Sequence, residues 1–362
     1  MKVLHIASYY QGSKVYKNLF SRLDVKSNVF VAVRTKDSDF ATSNVLTIRC
    51  LNIFTRLFYS LKIASLFFNF YNAFVDLKNE GLSLIHAHTL YADGVLAYFF
   101  SLIAKSELVI TIRTTDVDYG FKYYRHYRWL VRKALKRSKK IIFISPTHRV
   151  KFIDYFGDEF NHKFVVIPNG VDNFYINSSI KKKTYSSNLT VGLCIASFNK
   201  NKNLKNTISA FHRAAADKQN AKLYIVGGTY KEYAAVYGPL RSDLQSRVFF
   251  LGVLNKAEIL EKMQEATFFI MVSHSETFGL VYIEAISQCL PIIYTCHQGV
   301  DGYFDDGQYG FNADSTDVES ISIAIKNTLN KFPNGLGPFE HNPAIDFSWD
   351  KIAKVYKEVV YK

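Results

Sequence analysis

Glu276 and Glu284 stand eight residues apart in the run HSETFGLVYIE, His274 to Glu284. Carboxylates suit hydroxyl recognition, and what lies between these two points to more. A strand-like run ends at Val272-Ser273, Ser275 or Thr277 can cap, and Leu280 to Ser287 has the apolar pattern of a helix. At about 1.5 Å rise per residue, Glu284 lies roughly one to two turns below the helix start, with Glu276 just above it. Between them the N–H groups of Phe278, Gly279 and Leu280 have no partner inside the helix, which makes an anion site. Two hydroxyl-seeking carboxylates flanking a phosphate-seeking helix end match the layout of a nucleotide-diphosphate sugar: ribose, pyrophosphate, hexose.

The rest of the chain supplies elements to hold such a site. Short apolar strand candidates alternate with helical patterns, which argues for parallel sheets built from βαβ units. In the first half the strands fall at Val3–Ala7, Val29–Val33, Leu84–Ala87, Leu108–Ile112, Ile141–Ser145 and Phe164–Ile167. In the second half they fall at Leu189–Ala196, Leu223–Val226, Val248–Leu251, Phe268–Val272 and Pro291–Tyr294. A chain of 362 residues is long for one core and comfortable for two. The polar, serine- and lysine-rich stretch 177–188 reads as a surface linker. Ligands bind in the crevice at the C-terminal ends of such strands, and Gly12, Ser197 and Lys202 follow the first strands of the two halves. The four cysteines, Cys50, Cys194, Cys289 and Cys296, have no metal-like spacing and read as reduced thiols of a cytoplasmic protein. Met1 to Ala7 reads as a first buried strand and not as a signal peptide. No apolar run is long enough to span a bilayer.

Several segments carry a resemblance. Ser273–Ile293 resembles the glutamate-x7-glutamate signature of the retaining family 4 glycosyltransferases, which have the GT-B fold. Val166 to Asp172 (VIPNGVD) is similar to the interdomain segment of that family, and Lys202-Asn203 to its donor-phosphate lysine motif. Leu251-Gly252 with Asn255 to Met263 resembles its base-side loop and helix. The resemblance implies an α/β protein of two facing Rossmann-like doubly wound domains with a cleft between them. Residues 1–172 would take the acceptor and 173–345 the nucleotide sugar, with a C-terminal helix over 346–362 packing back on the first domain. It also implies donor contacts from Gly12, Ser197, Lys202, Phe278, Gly279, Leu280 and Glu284, with Glu276 on the sugar hydroxyls. Neither a metal ion nor a cofactor is expected, the nucleotide sugar being a co-substrate and UDP the favoured carrier.

The chain departs from the family pattern in three places. An arginine is usual where Ser197 stands, which removes one bidentate phosphate donor that Lys200 could replace. A glycine pair is usual where this chain has only Gly12. In Thr111 to Asp116 (TIRTTD), Arg113 occupies the place of a histidine near the reacting sugar, and an arginine cannot shuttle protons. Arg113 and Asp116 are therefore expected either at the reacting centre, acting by charge, or merely paired at a strand end. His86 and His88 share one side of a strand by period two, and His88 either lines the acceptor side or is a satisfied core histidine. A non-catalytic sugar-nucleotide or glycan-binding protein is the alternative reading that these departures leave open.

Charge adds a second line. Residues 1–170 hold 25 Lys and Arg against 12 Asp and Glu, and residues 171–362 hold 20 against 19. The excess belongs to one half and so to one surface. Much of it lies in 121–140, where nine basic residues, among them Arg125, Arg128, Arg132, Lys133, Lys136 and Arg137, accompany five aromatic ones and no acid. The segment Ile53–Val75 is rich in Phe and Leu, with Arg56 and Lys62 its only charges. Both suit the face of an anionic bilayer, and so a peripheral position on the inner face of the cell membrane with a glycan or lipid-linked acceptor. The competing readings are a core helix over 53–75 and a solvated basic face. No nucleic-acid-binding pattern accompanies the charge.

Overall fold

The computed structural model describes residues 1–10, 14–23, 25–33, 44–49, 58–178, 189–218, 220–337 and 339–362. The chain divides into two compact units. One comprises Met1–Ile144, His148–Gly170 and Trp349–Lys362, the other Ser145–Thr147 and Val171–Ser348.

The first unit is a parallel sheet of β1 (Lys2–Ile6), β2 (Lys26–Val33), β3 (Val45–Arg49), β4 (Leu84–Ala87), β5 (Glu107–Ile112), β6 (Lys140–Phe143) and β7 (Phe164–Val166), in the order β3-β2-β1-β4-β5-β6-β7. Its central strands are covered on both faces, which is why they read as nearly continuous apolar runs. Alternate residues serve alternate faces. Leu4, Ile6 and Ile85 pack under the helices Tyr59–Asn79 and Val95–Ala104. Val3 and Leu84 face Trp349, Ile352, Tyr356 and Val360 of the chain's last segment. The helix Tyr59–Asn79 buries Tyr59, Ile63, Leu66, Phe70, Phe74 and Leu77, spaced three or four apart so that one stripe meets the sheet. Phe74 stacks on Phe100 with ring centroids 4.1 Å apart.

The second unit repeats the scheme with β8 (Leu189–Ile195), β9 (Asn220–Val226), β10 (Val248–Phe250), β11 (Phe268–Ile270), β12 (Ile292–Thr295) and β13 (Gly310–Ala313), in the order β10-β9-β8-β11-β12-β13. Helices Leu204–Ala214 and Val318–Lys331 pack against one another in this unit. The short strand Pro333–Leu336, outside both sheets, was not foreseen from the sequence, and neither were two sheet strands, β3 and β13. Each is the last strand at one edge of its sheet; β3 is only half-buried, and β13 begins with a glycine, so neither carries a run of buried apolar residues. β2 also begins three residues before the expected Val29.

The first unit buries an unusual number of histidines. Burial holds His5 and His148 down at about 3, with Lys151 and Arg113 adding to the effect at His148, and it holds His86 and His88 well below the usual histidine range. A histidine whose folded value is lowered contributes stability that is complete above about pH 6.5 and is lost as the pH falls. Asp93 and Asp116, raised by burial, act in the opposite sense over the lower part of that range. Both tryptophans of the chain, Trp129 and Trp349, lie in this unit and report it alone. Denaturant unfolding followed by their emission should show lower stability at about pH 5.5 than at about pH 7.5. An unchanged midpoint would contradict the assignment of buried neutral imidazoles.

Candidate active site

β8 and β11 are neighbours, and the turns leaving their C-terminal ends meet. The turn Lys200–Lys202 brings the Lys202 Nζ to 2.8 Å from the Glu276 Oε2. Both side chains are largely buried, at 19% and 14% exposure, so the pair is screened less than a surface one. Asn201, which the sequence reading passed over, joins the two turns. Its carboxamide donates to the Ser275 carbonyl and accepts the Ser275 N–H, each at 2.9 Å, and its own carbonyl accepts the His274 N–H at 2.8 Å. Asn203, in the left-handed conformation at φ 54°, donates to the carbonyls of Val272 at 3.0 Å and Ser315 at 2.7 Å. The only sequence signal for these roles is a cluster of asparagines around Lys202.

Glu276 is held from its other side as well. Its N–H donates to the Gln298 Oε1 at 3.4 Å, its carbonyl accepts the Gly299 N–H at 3.1 Å, and its Oε1 accepts the Thr277 N–H at 3.1 Å. Three residues on, Gly279 turns the chain into the helix Leu280–Ser287 with φ 77°. A Cβ there would lie 2.4 Å from the Tyr282 ring, so only glycine fits the turn. The Phe278 ring is buried against Phe347 and Tyr303, which fixes the turn from below. Among the described residues nothing accepts from the N–H groups of Phe278, Gly279 or Leu280. A free helix end beside a lysine has the polarity to hold an anion, and the carboxylate of Glu276 borders it.

Glu284 lies on the same helix between buried Ile283 and Ala285. Burial and the like charge of Asp172 push its carboxyl up to about 7 against the weaker pull of Lys256. Asp172 caps the helix Asn173–Asn177, accepting the Phe174 N–H at 3.0 Å, and pairs with Lys256. Glu284 itself is thus a costly, part-exposed acid placed where a hydroxyl-bearing ligand could bond it. Ser197 is exposed after β8, its Oγ accepting from the Asn199 Nδ2 at 3.1 Å, and Lys200 is exposed beside it. Gly12 lies outside the described residues.

In the first unit Arg113 and Asp116 do not form a side-chain ion pair. The Arg113 Nε donates to the His88 carbonyl at 3.1 Å, and its guanidinium lies over the Tyr16 ring at 4.9 Å. Asp116 is buried, and its two oxygens accept the backbone N–H groups of Tyr91 and Arg113, both at 3.0 Å. Burial raises its carboxyl to about 6 against those amides. Asp93, absent from the sequence reading, accepts from the Ser8 Oγ at 2.5 Å and the Thr89 Oγ1 at 2.9 Å and so ties the turns after β1 and β4. His88 is wholly buried, with its Nε2 3.0 Å from the His5 Nδ1 and its ring stacked on His86. His86 spans the Tyr361 hydroxyl and the Thr111 Oγ1, each at 2.8 Å. Among the described residues His5, His86 and His88 are the one group with three possible metal ligands within 4.8 Å of one another. They fit a cation poorly: two already bond each other, the third has both nitrogens occupied, no carboxylate joins them, and the Arg113 charge is felt at His86 and His88.

The basic segment separates into two sets. Arg125, Lys133 and Lys136 are exposed. Arg128 instead donates to the Tyr155 carbonyl and Arg132 to the Phe156 carbonyl at 2.7 Å and to Glu159, while Arg137, also exposed, donates to the Ser106 carbonyl at 2.9 Å. Arg128 and Arg132 thereby satisfy the last turn of the helix Pro146–Phe156.

Two doubly wound parallel sheets, the second with an open helix N-terminus flanked by Glu276 and Glu284, fit the two-domain α/β GT-B class. The family profile described as Glycosyl transferases group 1 matches residues 177–333, and that described as Glycosyltransferase Family 4 matches residues 18–173. The chain belongs to the family 4 glycosyltransferases. It is 24% identical to an uncharacterized glycosyltransferase of Methanocaldococcus jannaschii over 99% of both chains. It is 26% identical to the alpha-monoglucosyldiacylglycerol synthase of Acholeplasma laidlawii over 79% of this chain and 74% of that protein. Its fold is similar to that of Anabaena HepE solved in complex with UDP, with a TM-score of 0.72, 18% identity and full coverage of both chains.

The raised carboxyl of Glu284 has a thermodynamic signature. A folded value of about 7 against 4.5 unfolded means that its contribution is favourable below about pH 4.5 and is lost as the pH rises through 7. Glu284→Gln should therefore raise the calorimetric unfolding midpoint of the second unit at about pH 8 and leave it nearly unchanged at about pH 5. Equal effects at both pH values would show that the carboxyl is not strained by its surroundings.

Proposed function

We propose that this chain is a retaining glycosyltransferase that moves a hexosyl group from a nucleotide-diphosphate sugar, with UDP the favoured carrier, to a glycan or lipid-linked acceptor. The observation that carries the reading is the Lys202–Glu276 pair at 2.8 Å beside the free N-terminus of the helix Leu280–Ser287. The diphosphate takes Lys202 and the amides of Phe278, Gly279 and Leu280, Glu284 takes the ribose hydroxyls, and Glu276, released from Lys202, takes the sugar hydroxyls. As the anomeric C–O bond weakens, the lysine and the helix end stabilise the departing diphosphate without a metal ion. The acceptor hydroxyl enters on the same face, and its proton goes to the departing phosphate oxygen. Arg113 replaces the expected histidine by charge alone, with Asp116 holding its turn and His88 behind it. The UDP complex of HepE supports the choice of carrier. The name of the Acholeplasma relative supports a lipid acceptor. Synthesis of a cell-surface polysaccharide or glycolipid, on the cytoplasmic face of the membrane, is the setting that fits. A binding protein without turnover is the second reading, favoured by Ser197 and Arg113.

Thermal-shift titration with UDP, GDP, ADP and CMP tests the donor site. UDP should stabilise the wild type with or without chelator, by about 2.7 kcal/mol at a hundredfold excess over Kd, and should fail to stabilise Glu284→Ala. No shift with any nucleotide would overturn the reading. Glu276→Ala should keep most of the UDP shift yet lose about 10²- to 10³-fold in transfer. Wild-type turnover of any acceptor excludes the binding-only alternative.

A further inference from the structure

We propose that the first unit enters an anionic lipid bilayer with an apolar stripe formed by Phe58, Leu61, Phe68, Tyr71 and Trp129, while Lys122, Arg125 and Lys133 hold the lipid phosphates. The helix Tyr59–Asn79 has two apolar faces. One is the core stripe described above. The other carries Leu61 and Phe68, two turns apart, with Tyr71 one turn further and Phe58 just before the helix begins. These side chains are 52%, 76%, 39% and 57% exposed. From Phe58 to Val75 the only charged residue is Lys62. A soluble helix ordinarily keeps charge on the face away from its core, and this one has none there until Asp76, exposed near its C-terminal end.

The basic segment lies alongside the start of that helix. The Tyr59 ring is 4.5 Å from Tyr127 and 4.8 Å from Tyr124, and the Ser60 Oγ bonds the Tyr127 hydroxyl. Trp129 is 59% exposed with the Lys133 Nζ 5.0 Å above its ring, and Tyr123 is half-exposed with Lys122 above it at 5.2 Å. No acid occurs from Tyr119 to Ile153. Aromatic residues at headgroup depth, aliphatic and phenyl side chains below and ammonium groups above make the cross-section of an interfacial anchor. Arg128, Arg132 and Arg137 are left out because they are engaged with carbonyls of the fold. A soluble polyanion would satisfy the cations and leave the apolar stripe in water. A second copy would bring two surfaces of the same strong positive charge together. A bilayer of anionic lipids meets both halves of the surface, and the acceptor proposed above would be presented there. The inference rests on that reading of the acceptor but not on the donor site.

The test uses the full chain and its two tryptophans, Trp129 exposed and Trp349 at 3% exposure. Vesicles of phosphatidylcholine and phosphatidylglycerol in equal parts should shift the emission to the blue, and brominated acyl chains should quench it. Vesicles of phosphatidylcholine alone should bind at least about tenfold more weakly. The variant Leu61→Ser/Phe68→Ser should lose about tenfold or more in vesicle affinity while its UDP thermal shift stays that of the wild type, and Lys122→Glu/Arg125→Glu/Lys133→Glu should behave likewise. Arg128→Lys should leave vesicle affinity unchanged. Absence of any blue shift on anionic vesicles, or a Leu61→Ser/Phe68→Ser variant that binds them as the wild type does, overturns the inference. So does concentration-dependent dimerisation that the same variant abolishes without vesicle binding in either protein. Loss of the UDP shift in the wild type would instead count against the donor site.

Discussion

Parallel pairing of β1 with β4 and of β8 with β11 sets where chemistry can occur in this chain. At these pairs the strand order reverses, so the connections leave toward opposite faces and a crevice opens at the strand ends. Residues buried along the strands have neighbours on both sides, whereas residues a few positions beyond a strand end do not. Lys202 and Glu276 occupy that zone in the second unit, and Ser8, His88 and Asp93 occupy it in the first. The sheet brings each group to its crevice, and short side-chain bonds then fix it. Asn201 does this for the Lys202–Glu276 pair, and Asp93 for the turns after β1 and β4.

The two crevices solve the cost of buried polar groups differently. In the first unit Asp116 is bonded to backbone amides, His86 to two hydroxyls and His5 to His88, which offsets part of the burial while the His5 Nε2 and the His88 Nδ1 stay unpartnered among the described residues. In the second unit the amides after Phe278 and the carboxyl of Glu284 have no such partners among the described residues. A folded chain gains nothing from a raised carboxyl or an open helix end. Their survival next to a lysine is what one expects when a ligand supplies the missing bonds. The distinction explains why Asp116, whose sequence position resembles a reacting centre, has the geometry of a turn-fixing carboxylate.

Much of the second site was legible because each part has a local sequence cause. Gly279 marks a backbone that no other residue can adopt, the apolar run after it marks a helix, and Glu284 interrupts that run at a position facing partly outward. The buried strands were legible for the same reason, as unbroken apolar runs. What the sequence hid depends on contacts between distant residues. The edge strands β3 and β13 carry too few buried side chains to stand out. The bonds from Asn201 to Ser275 and from Asp93 to Ser8 join residues more than 70 positions apart. No pattern within one segment announces them.

The charge run over 121–140 shows the limit of reading charge as surface. An arginine carries five donors on a flexible stem, so it can turn back along the protein and bond the carbonyls at the end of a neighbouring helix. Arg128 and Arg132 do so, and Arg137 bonds the Ser106 carbonyl, while Lys122, Arg125, Lys133 and Lys136 are exposed. A count of basic residues therefore overstates the free donors this face offers a partner. The apolar segment 53–75 reads either as bilayer-facing or as a core helix. Here the same helix is core along Ile63, Leu66, Phe70 and Phe74 and exposed along Leu61, Phe68 and Tyr71. Each reading assigns a whole segment to one environment, whereas about 100° of rotation per residue gives a single helix two.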